Sequence, residues 1–154
     1  MNTRAIGTII NHEMLRFYRT LGGSILSPVI TASLYFVVFG NGLGSQIGEI
    51  GDIPYNAFIV PGMLLLALAT QSTSNSAFGI FFQKFTGTIY EVLTAPLNNF
   101  ELVISFVLAA TLKAIMLGSI ILVVSFMFVD YTIVHPFVML VFFFLTSFSF
   151  SLFG

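Results

Sequence analysis

The chain contains no cysteine and no tryptophan. Without cysteine there is no disulfide framework, no thiolate metal site and no cysteine nucleophile. Without tryptophan, an aromatic belt at a membrane surface rests on tyrosine and phenylalanine. Charge is almost as scarce. Asp, Glu, Lys and Arg make up 7% of the 154 residues, where an ordinary soluble domain carries about 25%. Five Lys and Arg in all exclude a nucleic-acid surface. No Gly-x-x-x-x-Gly-Lys-Ser/Thr phosphate loop is present, so the chain does not hydrolyse ATP by that route, and there is no His-Glu-x-x-His. His12 and His135 fall on opposite sides of the membrane in the topology below and cannot share a metal. Glu101, Asp130 and Lys113 lack paired-carboxylate spacing. No catalytic residue, no metal ligand and no bound cofactor is expected.

What the chain has in abundance is apolar surface, 57% of its residues including nineteen Phe. No signal peptide is apparent, since the first long apolar run starts late and is too long for one. Four apolar runs, at residues 24–39, 57–82, 102–129 and 137–154, predict an all-α integral membrane protein in which the whole chain forms a single transmembrane domain. Pro28 near the start of the first run and Pro61-Gly62 in the first turns of the second sit where a missing N–H costs least. Gly22-Gly23 is expected to loosen the chain before the first run, and Gly40-Asn41-Gly42-Leu43-Gly44 to end it. The third run is long at 28 residues, so part of it is expected to project or tilt.

Residues 4–21 predict an amphipathic helix lying on the membrane. Ile6, Ile9, Ile10, Met14, Phe17, Tyr18 and Leu21 share one face, and Arg4, Thr8, Asn11, His12, Arg16 and Arg19 the other. An apolar face opposite a basic one favours the plane of anionic headgroups. Glu13 breaks the pattern by falling in the apolar sector. Two readings stand: a pair with Arg16 at i+3, or a contact with another helix or subunit. Arg4, Arg16 and Arg19 in this segment and Lys84 in the 83–101 connection face no Lys or Arg in the 40–56 and 130–136 loops. That asymmetry predicts a cytoplasmic N terminus and a cytoplasmic 83–101 connection.

Three polar positions inside the apolar runs are candidates for a transport path or a subunit seam. Gln71 and Asn75 share a face at i,i+4 within the run Gln71-Ser72-Thr73-Ser74-Asn75-Ser76, and both need protein or water partners; helix–helix glue is the alternative. Lys113 lies about 17 Å past Leu102 along a helix, where a lysine costs at least ~2.5–3.5 kcal/mol to insert. It either snorkels to the cytoplasmic headgroups or faces a cavity, a subunit seam or an acidic group of a substrate.

The 83–101 connection carries its own helix signal. Thr88 followed by Glu91 reads as a capping box. Ile89, Val92 and Leu93 form one apolar face about two turns long. Pro96 stops the helix and Asn98-Asn99 turns the chain into the next run. A short surface helix with an exposed apolar face suits a groove in a soluble partner, or else packs on its own bundle.

These stretches together resemble the permease subunits of type-2 ABC transporters. The resemblance rests on Ser27-Pro28-Val29-Ile30 through Leu34-Tyr35-Phe36-Val37-Val38-Phe39-Gly40, on Phe58-Ile59-Val60-Pro61-Gly62, and most strongly on Gly87-Thr88-Ile89-Tyr90-Glu91-Val92-Leu93-Thr94-Ala95-Pro96. The last is close to a family pattern Gly-Thr-Leu-Glu-x-Leu-Leu-x-x-Pro, with its acidic residue one position later, at Glu91. The resemblance implies six transmembrane helices, an interfacial elbow helix at 4–21 and a coupling helix at about 88–95. It implies a bacterial inner-membrane exporter of drugs, lipids or glycans, working as two permease copies with separate ATPase subunits that hold ATP and Mg. Thr88, Ile89, Glu91, Val92, Leu93 and Pro96 are the implied coupling contact. On this reading the chain is an N-terminal fragment with four of six transmembrane helices. The alternatives are a small non-transporting membrane assembly protein and an intramembrane enzyme using Lys113 or Glu101.

Overall fold

The computed structural model describes residues 3–43, 49–50, 53–94, 98–129 and 135–154. Helix α1 spans Thr3–Arg19 and α2 spans Leu21–Tyr35, continuing as wider π-helical turns over Phe36–Leu43. Strands β1 (Glu49–Ile50) and β2 (Ile53–Pro54) make a minimal antiparallel ribbon. Helix α3 spans Tyr55–Thr86, the short α4 Ile89–Thr94, α5 Asn99–Ser125 and α6 Pro136–Phe153. Four helical stretches are long and apolar enough to cross a membrane: Leu21–Phe39, Ala57–Thr86, Asn99–Ser125 and Pro136–Phe153. The chain is an all-α integral membrane protein.

Several boundaries differ from the sequence expectation. Gly22 and Gly23 lie inside α2; the break between α1 and α2 falls at Thr20 instead. Its hydroxyl donates back to the carbonyls of Arg16 and Phe17 at 3.1 and 3.2 Å, a side-chain competition that disturbs helices. The expected turn at Gly40 is also passed, because the π-helical turns continue through Gly42 to Leu43. Helix α3 extends to Thr86 and stops at Gly87, whose φ of 77° is the left-handed conformation that glycine adopts without a Cβ clash. Helix α5 begins three residues before the apolar run and ends at Ser125 rather than 129. Its early start comes from a capping box, with the Glu101 carboxylate accepting the Asn98 N–H at 3.2 Å.

Helix α5 is the centre of the bundle, and α1, α2, α3 and α6 all pack on it. Small side chains on its inward face, Ser105, Ala109, Ala110, Ala114 and Gly118, let neighbours approach closely. At Gly118 a Cβ would sit 2.5 Å from Leu68 Cδ2 and 3.6 Å from Phe143 Cε2. Leu68, Ile121 and Phe143 join Phe36, Val60 and Leu64 in the apolar core. The outward faces carry Leu26, Ile30, Leu34, Leu66, Phe142 and Leu145 in the open, as expected where the solvent is lipid.

The polar run in α3 resolves by face. Ser72 and Ser76 point inward, Ser74 outward. The Ser76 hydroxyl donates to the Ser151 carbonyl at 2.8 Å, and Thr73 reaches the Phe150 carbonyl at 3.3 Å. These bonds fasten α3 to α6, so helix–helix glue describes this part of the run. Helices α3, 32 residues, and α5, 27 residues, are about 48 and 40 Å long at 1.5 Å per residue. Both exceed the ~30 Å hydrocarbon core of a bilayer.

Candidate functional site

Helix α4 sits at the joint of the two overlong helices. Gly87 turns the chain out of α3, and two residues later α4 begins. The Thr88 carbonyl accepts the Glu91 N–H at 3.1 Å, and the Gly87 carbonyl accepts the Tyr90 N–H at 3.3 Å. The Thr88 hydroxyl bonds that of Thr86, so the capping box expected of Thr88 and Glu91 is not what starts the helix; Asn98 and Glu101 make that device one element later. Tyr90 and Glu91 are exposed, and Ile89 is half-buried. The backbone of Val92 and Leu93 is helical, while their side chains, and Pro96 altogether, lie outside the described residues. A glycine turn followed by a two-turn helix with an exposed aromatic ring and carboxylate offers a compact knob beyond the ends of α3 and α5.

The second feature is a buried charge cluster. Lys113 Nζ donates to Glu13 Oε2 at 2.7 Å, and Arg16 Nη2 donates to the same oxygen at 2.8 Å. Both the Lys113 and Glu13 side chains are all but fully buried, at 4% and 2% exposure. Of the two sequence readings of Glu13, both hold at once, the i+3 pair and the contact with a distant helix. Lys113 does not snorkel; it faces an acidic group from another helix. The other Glu13 oxygen, Oε1, is buried without a hydrogen-bond partner. Arg16 also lies over the α3 rings, its guanidinium carbon 5.2 Å from the Phe82 centroid and 5.9 Å from that of Phe78, within cation–π range. Gly79 of α3 lies beside the cluster, where a Cβ would make ordinary contact with Phe106 at 3.4 Å and with Glu13 Oε2 at 4.0 Å.

This cluster sets which face of α1 is buried. Glu13 and Phe17 are buried, while Leu15 and Tyr18 stand out. Of the residues on the expected apolar face, Phe17 is buried in the bundle and Tyr18 stands outside it. Arg4, Thr8, Asn11, His12 and Arg19 are exposed as expected.

The third feature is a cavity of about 540 Å³ between α2 and α3. Its walls are mostly apolar, with Tyr35, Phe39, Ile59 and Met63, and its polar edge is Ser27, Thr31, Thr70 and Gln71. Asn75, one turn on, donates to the Gln71 carbonyl at 2.8 Å and to its side-chain oxygen at 3.5 Å. Gln71, Asn75 and Lys113 do not form one lining. Gly79, beside Glu13, follows Gln71 by eight residues, about 12 Å along α3 and turned by about 80°. Gln71 faces the α2 groove and Lys113 faces α1. Sequence reasoning did not find the Glu13–Lys113 pair; the signal present was two opposite charges, each stranded in an apolar sector. Among the described residues no group of His, Asp and Glu is placed to hold a metal.

The sequence family described as ABC-2 type transporter matches residues 4–154. The inner membrane transport permease YadH of Escherichia coli strain K12 is 34% identical over 129 residues, covering 84% of this chain and 50% of the relative. The protein of the same name from Shigella flexneri matches to the same extent. Nodulation protein J of Neorhizobium galegae is 26% identical over 114 residues, 73% of this chain and 44% of the relative. The chain thus spans about half the length of the relatives it matches. No solved structure matches.

Proposed function

The chain belongs to the ABC-2 type transporter family, and from that premise we propose that it is the permease part of an ATP-driven export system in a bacterial inner membrane. Transport is the activity in the names of its YadH relatives. The observation that carries the reading for this chain is the position of α4. It is a two-turn helix that follows α3 after the Gly87 turn and precedes α5, and both of those helices are longer than the hydrocarbon core of a bilayer. A helix so placed fits a groove of a soluble subunit, and a push on it reaches two long helices directly.

In this reading Thr88, Ile89, Glu91, Val92, Leu93 and Pro96 form the contact with a separate ATP-binding subunit, which holds ATP and Mg. The N terminus and α4 are cytoplasmic, and the basic face of α1, with Arg4 and Arg19 exposed, rests on anionic lipid. A second permease copy completes the membrane unit. The substrate is a drug, lipid or glycan-type molecule, and the α2–α3 groove with Gln71 at its edge is the part of this chain suited to an amphiphile. Co-purification tests the reading. The native protein extracted from its membranes carries an ATP-binding subunit, and Asp at Ile89, Val92 and Leu93 together removes it while the permease remains in the membrane. Undiminished binding in that variant would remove α4 from the contact.

A further inference from the structure

Helix α1 is fastened to both of the helices that carry α4, by two different chemistries. To α5 it is tied by the Glu13–Lys113 ion pair at 2.7 Å. To α3 it is tied by Arg16, which lies over the rings of Phe78 and Phe82 while bonding the same Glu13 oxygen. One carboxylate oxygen thus orders both cations. We infer that Glu13 is a positioning residue that staples α1 across α3 and α5, so that α1 moves with them when α4 is displaced. The inference rests on the coupling role proposed for α4.

The physical case is one of alternatives. An amphipathic helix held only by its apolar face slides and rotates on the membrane with little resistance, because lipid and protein offer it similar apolar contact. A buried ion pair has no such freedom. Drawing Glu13 away from Lys113 strands the lysine in a low-dielectric setting, and both side chains are too deeply buried for water to take over. Arg16 keeps 24% of its side chain exposed, so the α5 tie is the stiffer of the two. Lys113 stands fourteen residues into α5 from Asn99, about 21 Å along its axis. A displacement at the α4 end of α5 reaches α1 through one unbroken helix. In this arrangement α1 is a working part of the moving body rather than a float at its edge.

The absence of cysteine makes the test direct. Spin labels on single introduced cysteines at the exposed positions Leu15 on α1 and Val103 on α5 are each measured against a label at exposed Phe142 on α6. The protein is reconstituted with its co-purifying ATPase, and the distances are read before and after ATP. The expected result is that both distances shift in the parent. In E13Q the α5 distance still shifts and the α1 distance does not. In K113Q, where Glu13 keeps Arg16 as its partner, the α1 distance likewise does not shift, and this variant decides the matter if E13Q fails to accumulate. Joint shifts that persist in E13Q or K113Q, or a parent in which α5 moves without α1, each overturn the inference while leaving the coupling reading intact. A parent in which neither distance responds to ATP overturns the coupling reading itself, and this inference with it.

Discussion

Lys113 Nζ lies 2.7 Å from Glu13 Oε2 across 100 residues of chain, and both side chains are buried. The contact offsets the cost of two buried charges, with Arg16 as a second cation on the same oxygen, and gives α1 a fixed seat on α5. Removing Glu13 leaves Lys113 uncompensated, whereas removing Lys113 leaves Glu13 with Arg16. Glu13→Leu is therefore expected to destabilise the bundle by about 3–5 kcal/mol, and Lys113→Met by less. The double replacement, which removes both charges, is expected to cost far less. Thermal unfolding of the four proteins of this cycle in one detergent measures the coupling; additive single effects would show that the pair contributes no interaction of its own.

Gly118 of α5 and Leu68 of α3 meet at a close passage in the core. A Cβ at 118 would fall 2.5 Å from Leu68 Cδ2, so Gly118→Ala forces overpacking worth about 1–3 kcal/mol. Leu68→Ala opens space on the other side of the same contact. The paired variant Gly118→Ala with Leu68→Ala is expected to be more stable than the sum of its single effects, as measured by loss of helical signal on heating.

Gly87 carries the one positive φ among the described residues, 77°. Gly87→Ala is expected to cost about 1 kcal/mol, the left-handed penalty of an L residue, and Gly87→Asn less. Because this residue aims α4, Gly87→Ala is also expected to weaken co-purification of the ATP-binding subunit more than it lowers the amount of permease in the membrane. Equal losses in both would reduce the effect to stability.

The topology is open to a chemical check on the cysteine-free background. A cysteine at exposed Thr88 is expected to react with a membrane-impermeant maleimide from inverted vesicles and not from intact cells. A cysteine at exposed Gly42 is expected to do the opposite. The reverse pattern would invert the proposed orientation.

Much of the architecture was legible along the chain. The apolar runs, the amphipathic α1 and the short helix before the third run are local signals of hydropathy and period. Boundaries were less legible where side chains bond the backbone. Thr20 breaks the chain where Gly22-Gly23 was expected to, and Asn98 with Glu101 starts α5 early. At the candidate site the position of α4 was legible, and the grouping of Gln71, Asn75 and Lys113 was not. All three are polar residues in apolar runs, but the face each presents depends on how its helix is rotated in the bundle.

By itself the sequence determined that this protein lives in a membrane as helices, because 7% charge and 57% apolar residues leave no soluble alternative, and lipid obliges the backbone to bond within each segment. It determined as well that Glu13 and Lys113 would each need an answer, since neither belongs where it falls. Only the tertiary structure decided that they answer each other. Local periodicity carries no information about which residue 100 positions away is brought within 3 Å; that follows from the packing of α1, α3 and α5, where the small residues of α5 let the helices meet.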